Sequence, residues 1–395
     1  MSLKIYFAIL VVSAASGFQH GYHFVIINNP SKVIQEWITE LKTKKEGVAP
    51  TAAGVDLIWA VVVAIFSVGG AVGAFIIGIF ADNFGRKGSL KWNTCLVLVA
   101  AAITLYSRRA KSYKVLLFGR FLSGITSGLT SGLCQMYSVE ISPDEIRGGL
   151  SGVYQVAISF SMLVAAIAGI VFSEKETWHY IFIIPIVPAV LQLIALPFCP
   201  ESPKFLLITK GSDAKAEKAL KWLRESDDVA EELELLKEED NRVKQLRGSS
   251  LKRILSNPAM TNALICCLIL NISQQMCGIK TRKIVPSMKY AAIVGYFVFN
   301  GFYCIGIGPL GWFVPAEMFY HSSRTVAVCL SVASNYISSF IIGQAFFILK
   351  SEIDAYTSLI FIVLDIFSLL YIQQRLPETN QLSALDILDM YTFPQ

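Results

Sequence analysis

Charge is what this sequence has least of. Only 16% of its 395 residues are Asp, Glu, Lys or Arg, against 54% hydrophobic. A water-soluble chain of this length carries about a quarter charged residues over two or three domains, so that class is excluded. Any CxxC spacing is also missing. Cys95, Cys134, Cys199, Cys266, Cys267, Cys277, Cys304 and Cys329 lie in or beside apolar runs, which excludes a redox pair or a zinc site and leaves small buried hydrophobes. There is no Ser/His/Asp constellation, P-loop or metal-ligand spacing, so no enzyme, metal or cofactor is implied. A filter-like loop and a basic, aromatic-interleaved stretch are lacking too, which sets aside an ion channel and a nucleic-acid partner.

What remains is apolar sequence in long runs. A bilayer core of about 30 Å takes roughly 20 apolar residues per helix. That ruler places spans near 5–27, 57–80, 92–106, 115–138, 151–173, 178–199, 260–279, 286–312, 326–348 and 355–373. The apolar run at the start continues to Ile27, which fits an uncleaved first span better than a signal peptide. Ten crossings put both ends on one side, and the partner of most of the surface is lipid. Between the sixth and seventh spans, residues 200–258 hold 12 Lys/Arg and 12 Asp/Glu. Within this block, 213–224 and 229–246 alternate Leu or Ala with Glu and Lys at helical spacing, which predicts short amphipathic helices at the membrane surface or a solvated linker. The Lys/Arg bias places the block and both ends in the cytoplasm only weakly, because the block's own 12 basic residues carry it.

Glycines recur about four apart in two spans: Gly69, Gly70, Gly73 and Gly78 in the second, Gly119, Gly124, Gly128 and Gly132 in the fourth. Such stripes let helix backbones approach, whatever the function. Amides are more telling, because an unpaired amide in hydrocarbon is costly. Gln19, Gln155, Gln274, Gln275, Asn300, Asn335 and Gln344 all fall inside expected spans. Each offers two donors and an acceptor, which suits a neutral polyol; interhelical bonding is the competing role. Trp312 is either a platform for a sugar ring or an interfacial anchor. Charges gather at span ends: Asp82, Arg86 and Lys87 after the second span, Glu140 and Arg147 after the fourth, Glu317 and Arg324 between the spans 286–312 and 326–348. Pairs there would lock two bundles on one face, or else simply cap and anchor helices.

Several stretches have a family look. VAIFSVGGAVGAFIIGIFADNFGRKGS at 63–89, GRFLSGITSGLTSGLCQMYSVEISPDEIRGGLSG at 119–152, PESPKFLL at 200–207, QQMCGI at 274–279, GPLGWFVPAEMF at 308–319 and PET at 377–379 resemble the sugar porters of the major facilitator superfamily, with the animal facilitative glucose transporters the nearest group. The resemblance implies an all-α polytopic membrane protein of two bundles: a six-helix N-terminal bundle at 1–199, a cytoplasmic helical linker at 200–258, a C-terminal bundle at 259–376 and a cytoplasmic tail at 377–395. It implies sugar contacts at Gln155, Gln274, Gln275, Trp312 and Asn335. It also implies a cytoplasmic charge network of Arg86, Arg120, Glu140, Arg147, Glu201, Glu317 and Arg324. Gly21-Tyr22 is followed by His23, where proton-coupled relatives carry an acid, so uniport of a small neutral hexose at the plasma membrane is expected.

The chain departs from that pattern after Gly278-Ile279. Lys280, Arg282 and Lys283 follow, and from about Val285 the sequence resembles the tenth helix. Roughly a hundred residues of the family pattern, with two whole helices, have no counterpart. The C-terminal bundle is therefore expected to hold four helices, with parity kept, part of the cavity wall lost and some charges left without partners. Cys304 and Tyr336 stand where the family has an acid and a Trp. The second reading is thus a non-transporting shortened isoform or gene-model fragment of such a carrier, acting, if at all, as a partner or regulator of a full-length one.

Overall fold

The computed structural model describes residues 2–48, 50–244, 250–276, 298, 301–353, 357–379, 382, 387 and 390–391. Among these every regular element is helical. The apolar runs form helices because backbone groups in hydrocarbon have no other partner than their own segment.

Helix α1 covers Leu3–Val25, with a π-helical turn at Leu10–Ala14. An amphipathic helix α2, Ser31–Glu46, follows; its charged sequence hid it from a search for apolar runs. Helix α3 spans Ala52–Tyr106 and contains the expected second and third crossings, separated at Gly85. There φ is +78° and ψ 179°, a conformation only glycine enters readily, so the chain turns without a loop. Helices α4 (Tyr113–Ile141), α5 (Arg147–Val171) and α6 (Trp178–Phe198, with 3-10 turns at both ends) follow. From Gly124 to Ile141 nearly all of α4 is buried. That explains its Gly, Ser and Thr content: a helix enclosed by other helices needs close approach more than lipid solubility. The glycine stripes meet as their spacing suggests, since a methyl at Gly69 or Gly124 would strike the other helix's backbone at Phe121 or Phe66.

The charged block folds as α7 (Asp213–Arg224), α8 (Ala230–Lys244) and α9 (Ser250–Ser256). The helices match expectation, but their apolar faces do not lie open toward a membrane. Ala216, Leu220, Val229, Leu233 and Leu236 close on one another and on Leu207. The C-terminal half contributes α10 (Pro258–Met276), α11 (Ile307–Glu317), α12 (His321–Ile353) and α13 (Thr357–Arg375). The break at 280–285, Cys277, Asn300 and most of the expected span 286–312 lie outside the described residues.

One apolar core runs through both halves: Phe66, Ala74, Ile77, Leu129 and Leu133 pack with Trp312, Ala316, Val332 and Tyr336. Outward faces are apolar instead, as at Val156, Phe160, Leu163 and Ile167 on α5 and Val363 and Phe367 on α13; their three- to four-residue spacing makes continuous stripes for lipid. The first residues of α1 touch the linker, where Lys4 and the Leu3 amide meet Glu225. Thr379, past α13, donates to Glu317, a partner of Arg147.

Candidate functional site: an amide and aromatic centre with a charged lock

Helices α10 and α12 are joined by amides. Asn335 Nδ2 donates to Gln274 Oε1 at 2.6 Å and to the Asn271 carbonyl at 3.1 Å, while Gln275 Nε2 donates to Asn335 Oδ1 at 2.8 Å. Gln274 Nε2 reaches across to the Gly308 carbonyl of α11 at 2.7 Å. Gln155, from α5 in the other half, approaches the same glycine: a methyl there would lie 3.2 Å from Gln155 Cδ. Gln155 is buried and its Oε1 has no hydrogen-bond partner among the described residues. Gln155, Gln274, Gln275 and Asn335 therefore gather around α11, with the first two in contact with one backbone position. Gln19, by contrast, serves packing, donating to the Pro185 carbonyl at 2.6 Å.

Trp312 is buried in this centre rather than at a membrane interface. Its ring lies edge-on to His20 at 5.0 Å and to Tyr154 at 6.2 Å. His20 is a residue that sequence reasoning missed. Its Nδ1 is 2.8 Å from the Tyr154 hydroxyl and its Nε2 is 3.3 Å from the Tyr336 hydroxyl, so one imidazole of α1 links α5 to α12 across the two halves. A histidine inside an apolar run was the available signal, overshadowed by the amides. Asn271 was also passed over; it donates to the Gly311 carbonyl at 2.9 Å. Of the two altered positions, Tyr336 makes the His20 contact, and Cys304 Sγ lies 2.9 Å from Ser159 Oγ.

At the end bearing the linker, Glu140 of α4 is wholly buried beside two arginines and a histidine. Arg86 Nε lies 2.9 Å from Oε2, Arg324 Nη1 3.2 Å from Oε1 and His321 Nδ1 3.3 Å from Oε1; Ser202 also donates to it. Burial pushes the Glu140 carboxyl up, but Arg86, His321 and Arg324 outweigh it and hold the group well below the usual carboxylate range. Because Arg86 belongs to one half and Arg324 and His321 to the other, Glu140 ties the halves together. Arg147 adds a second tie, 3.6 Å from Glu317. His321, another residue missed from sequence, also lies 3.2 Å from Thr209 of the linker.

Glu201 has a different task. It accepts from the backbone amides of Arg86 and Lys87 at 3.0 Å, capping the arm of α3 that starts after Gly85. Burial raises its carboxyl above the usual range, against the pull of those amides. Lys87 returns the favour, donating to the Cys199 carbonyl at 2.6 Å and the Pro197 carbonyl at 3.0 Å at the end of α6.

Two expectations are corrected. The charges named at this end are not left unpaired: Arg86, Glu140, Arg147, Glu317 and Arg324 all have ionic partners. Arg120 is not one of them. It lies on the same helix as Glu140 but 20 residues earlier, about 30 Å along the axis. Its guanidinium donates to the His23 carbonyl at 2.8 Å and sits 4.6 Å above the Phe66 ring.

Comparison with known proteins decides the family. The profile described as "Sugar (and other) transporter" matches residues 8–285 and 279–391. The chain is a sugar porter of the major facilitator superfamily. Like its relatives it is a multi-pass membrane protein and not an enzyme. It is 30% identical to the facilitated glucose transporter member 1 of Gallus gallus over 434 residues, covering 92% of this chain and 88% of that protein. With member 4 of Homo sapiens the identity is 32% over 445 residues, covering 94% and 87%. Both alignments are longer than the 395-residue porter itself, so each relative has positions with no counterpart here. Among solved structures, the proton:xylose symporter XylE bound to 6-bromo-6-deoxy-D-glucose superposes with a TM-score of 0.83 at 18% identity, covering 98% of both chains, which places this porter in the same fold.

Proposed function

We propose that this porter moves a small neutral hexose by facilitative uniport, with the sugar held by Gln155, Gln274, Gln275, Asn335 and Trp312. The carrying observation is the convergence of Gln155 and Gln274, from opposite halves, on Gly308. In that arrangement Gln274, Gln275 and Asn335 bond to one another. As the halves part, the same donors and acceptors become available to sugar hydroxyls, and the unpartnered Gln155 Oε1 is an acceptor already in place. Glu140 with Arg86 and Arg324, and Arg147 with Glu317, would close the opposite entrance, which we assign to the cytoplasmic side of the plasma membrane together with both termini. Uniport is supported by His23 in the first span and by the lack of a carboxylate among the described residues of the centre. Uptake should then be indifferent to an imposed proton gradient.

A second reading has its own support: the alignments that outrun the chain, and the family match that restarts at 279, where the sequence leaves the pattern. On that reading the C-terminal bundle is short by two helices, and the chain is a non-transporting form that acts on a full-length carrier. Uptake of labelled glucose by vesicles reconstituted with the full chain separates the two. Saturable uptake reduced about tenfold by Gln155→Ala supports the carrier, and uptake no faster than in empty vesicles supports the second reading.

A further inference from the structure

The position of Arg120 is chemically odd. Its side chain is buried, and taking a guanidinium out of water is expensive unless an opposite charge accompanies it. Among the described residues no carboxylate lies within ion-pair distance of it: its contacts are the His23 carbonyl and the Phe66 ring, and its Nε has no partner. The residues from 277 to 297 cannot supply the missing charge, since they contain no Asp or Glu and do contain Lys280, Arg282, Lys283 and Lys289. Beside Arg120 stands His23, also buried, with neither ring nitrogen hydrogen-bonded among the described residues. Two nitrogen-bearing side chains with unused donors thus share one location, with no carboxylate beside them among the described residues.

That location is not remote from the sugar centre. His23 follows His20 by three residues, about one helical turn, and Phe66, under the Arg120 guanidinium, also touches Tyr336 with ring centroids 6.3 Å apart. Helix α1 begins at the linker end, so His23 and Arg120 lie on the far side of the centre from the Glu140 lock.

We propose that Arg120, with His23 beside it, forms a binding site for an anionic group next to the sugar centre. The group is either a small inorganic anion such as chloride or the carboxylate of an acidic hexose. The guanidinium supplies charge and its free Nε–H, the neutral imidazole supplies one N–H, and Phe66 holds the guanidinium plane. This site does not depend on the uniport reading, because an anion there stabilises the protein whether or not hexose crosses.

The test measures the unfolding midpoint of the full chain purified in detergent. Chloride is titrated against sodium HEPES at constant ionic strength, and D-glucuronate is compared with D-glucose. A rise of about 2 °C or more with chloride assigns the site to an inorganic anion, and a larger rise with glucuronate than with glucose assigns it to an acidic sugar. No rise with either overturns the proposal. Arg120→Gln should abolish the response. Because that variant could fail to fold, His23→Asp serves as the second: it places a carboxylate beside Arg120 and should remove the anion response while keeping the chain stable. A response that survives in either folded variant overturns the site. Gln155→Ala should lose glucose and keep the anion effect, which separates failure of this proposal from failure of the hexose reading.

Discussion

The two halves of the molecule meet in two chemically different places. At the linker end they are held by charges, with one buried carboxylate, Glu140, serving Arg86 from its own half and Arg324 and His321 from the other. At the centre they meet through neutral groups: Gln155 packs against Gly308, and His20, bonded to Tyr154 of its own half, reaches the Tyr336 hydroxyl of the other. Removing one partner of a buried ion pair leaves a stranded charge and costs several kcal/mol, whereas a neutral hydrogen bond is worth about 1 kcal/mol net. The charged end is therefore suited to all-or-none closure, and the centre to exchange of partners at little cost, which a passing solute requires.

Breaking the charged contact should have the largest effect. Glu140→Gln leaves Arg86 and Arg324 without their shared counter-charge and should destabilise the protein by about 3–5 kcal/mol, read as denaturant unfolding of the purified chain; a loss below 1 kcal/mol would mean that the cluster is not holding the halves. Next comes the centre's steric fit. With Gly308→Ala the new methyl meets the Tyr303 carbonyl at 2.6 Å and Gln155 Cδ at 3.2 Å, an overpacking that should cost about 1–3 kcal/mol and weaken glucose binding, measured by quenching of tryptophan fluorescence. Unchanged stability and binding would show that α11 does not sit tightly against Gln155. The smallest effect belongs to Tyr336→Phe, which removes only the hydroxyl facing His20 and should cost about 1 kcal/mol. A loss as large as that of Glu140→Gln would erase the contrast between the two contacts.

The parts legible in the sequence were those where one physical requirement dominates. Crossing hydrocarbon demands apolar length, so that ruler alone marked the runs that became α1, α3, α5 and α6, and also 115–138 in α4, although that helix is enclosed and rich in Gly and Ser. The amides at Gln274, Gln275 and Asn335 stood out because polarity within such runs is rare, and the structure brings them together. Position along an axis was harder to read. Arg120 shares a motif with Glu140, yet the helix that joins them also separates them, and only the rise per residue reveals this. His20 and His321 escaped notice because a single histidine carries no spacing signal; their importance arises from neighbours on α5, α12 and the linker. The α2 helix was missed for the opposite reason, its charged residues reading as loop.

The reciprocal capping at Gly85 has a mechanical side. Glu201, at the head of the linker, grips the first amides of the third crossing, and Lys87 of that crossing grips the last carbonyls of the sixth. A pull along the linker would therefore reach the second arm of α3 and the end of α6 together, through one shared anchor rather than two separate ones.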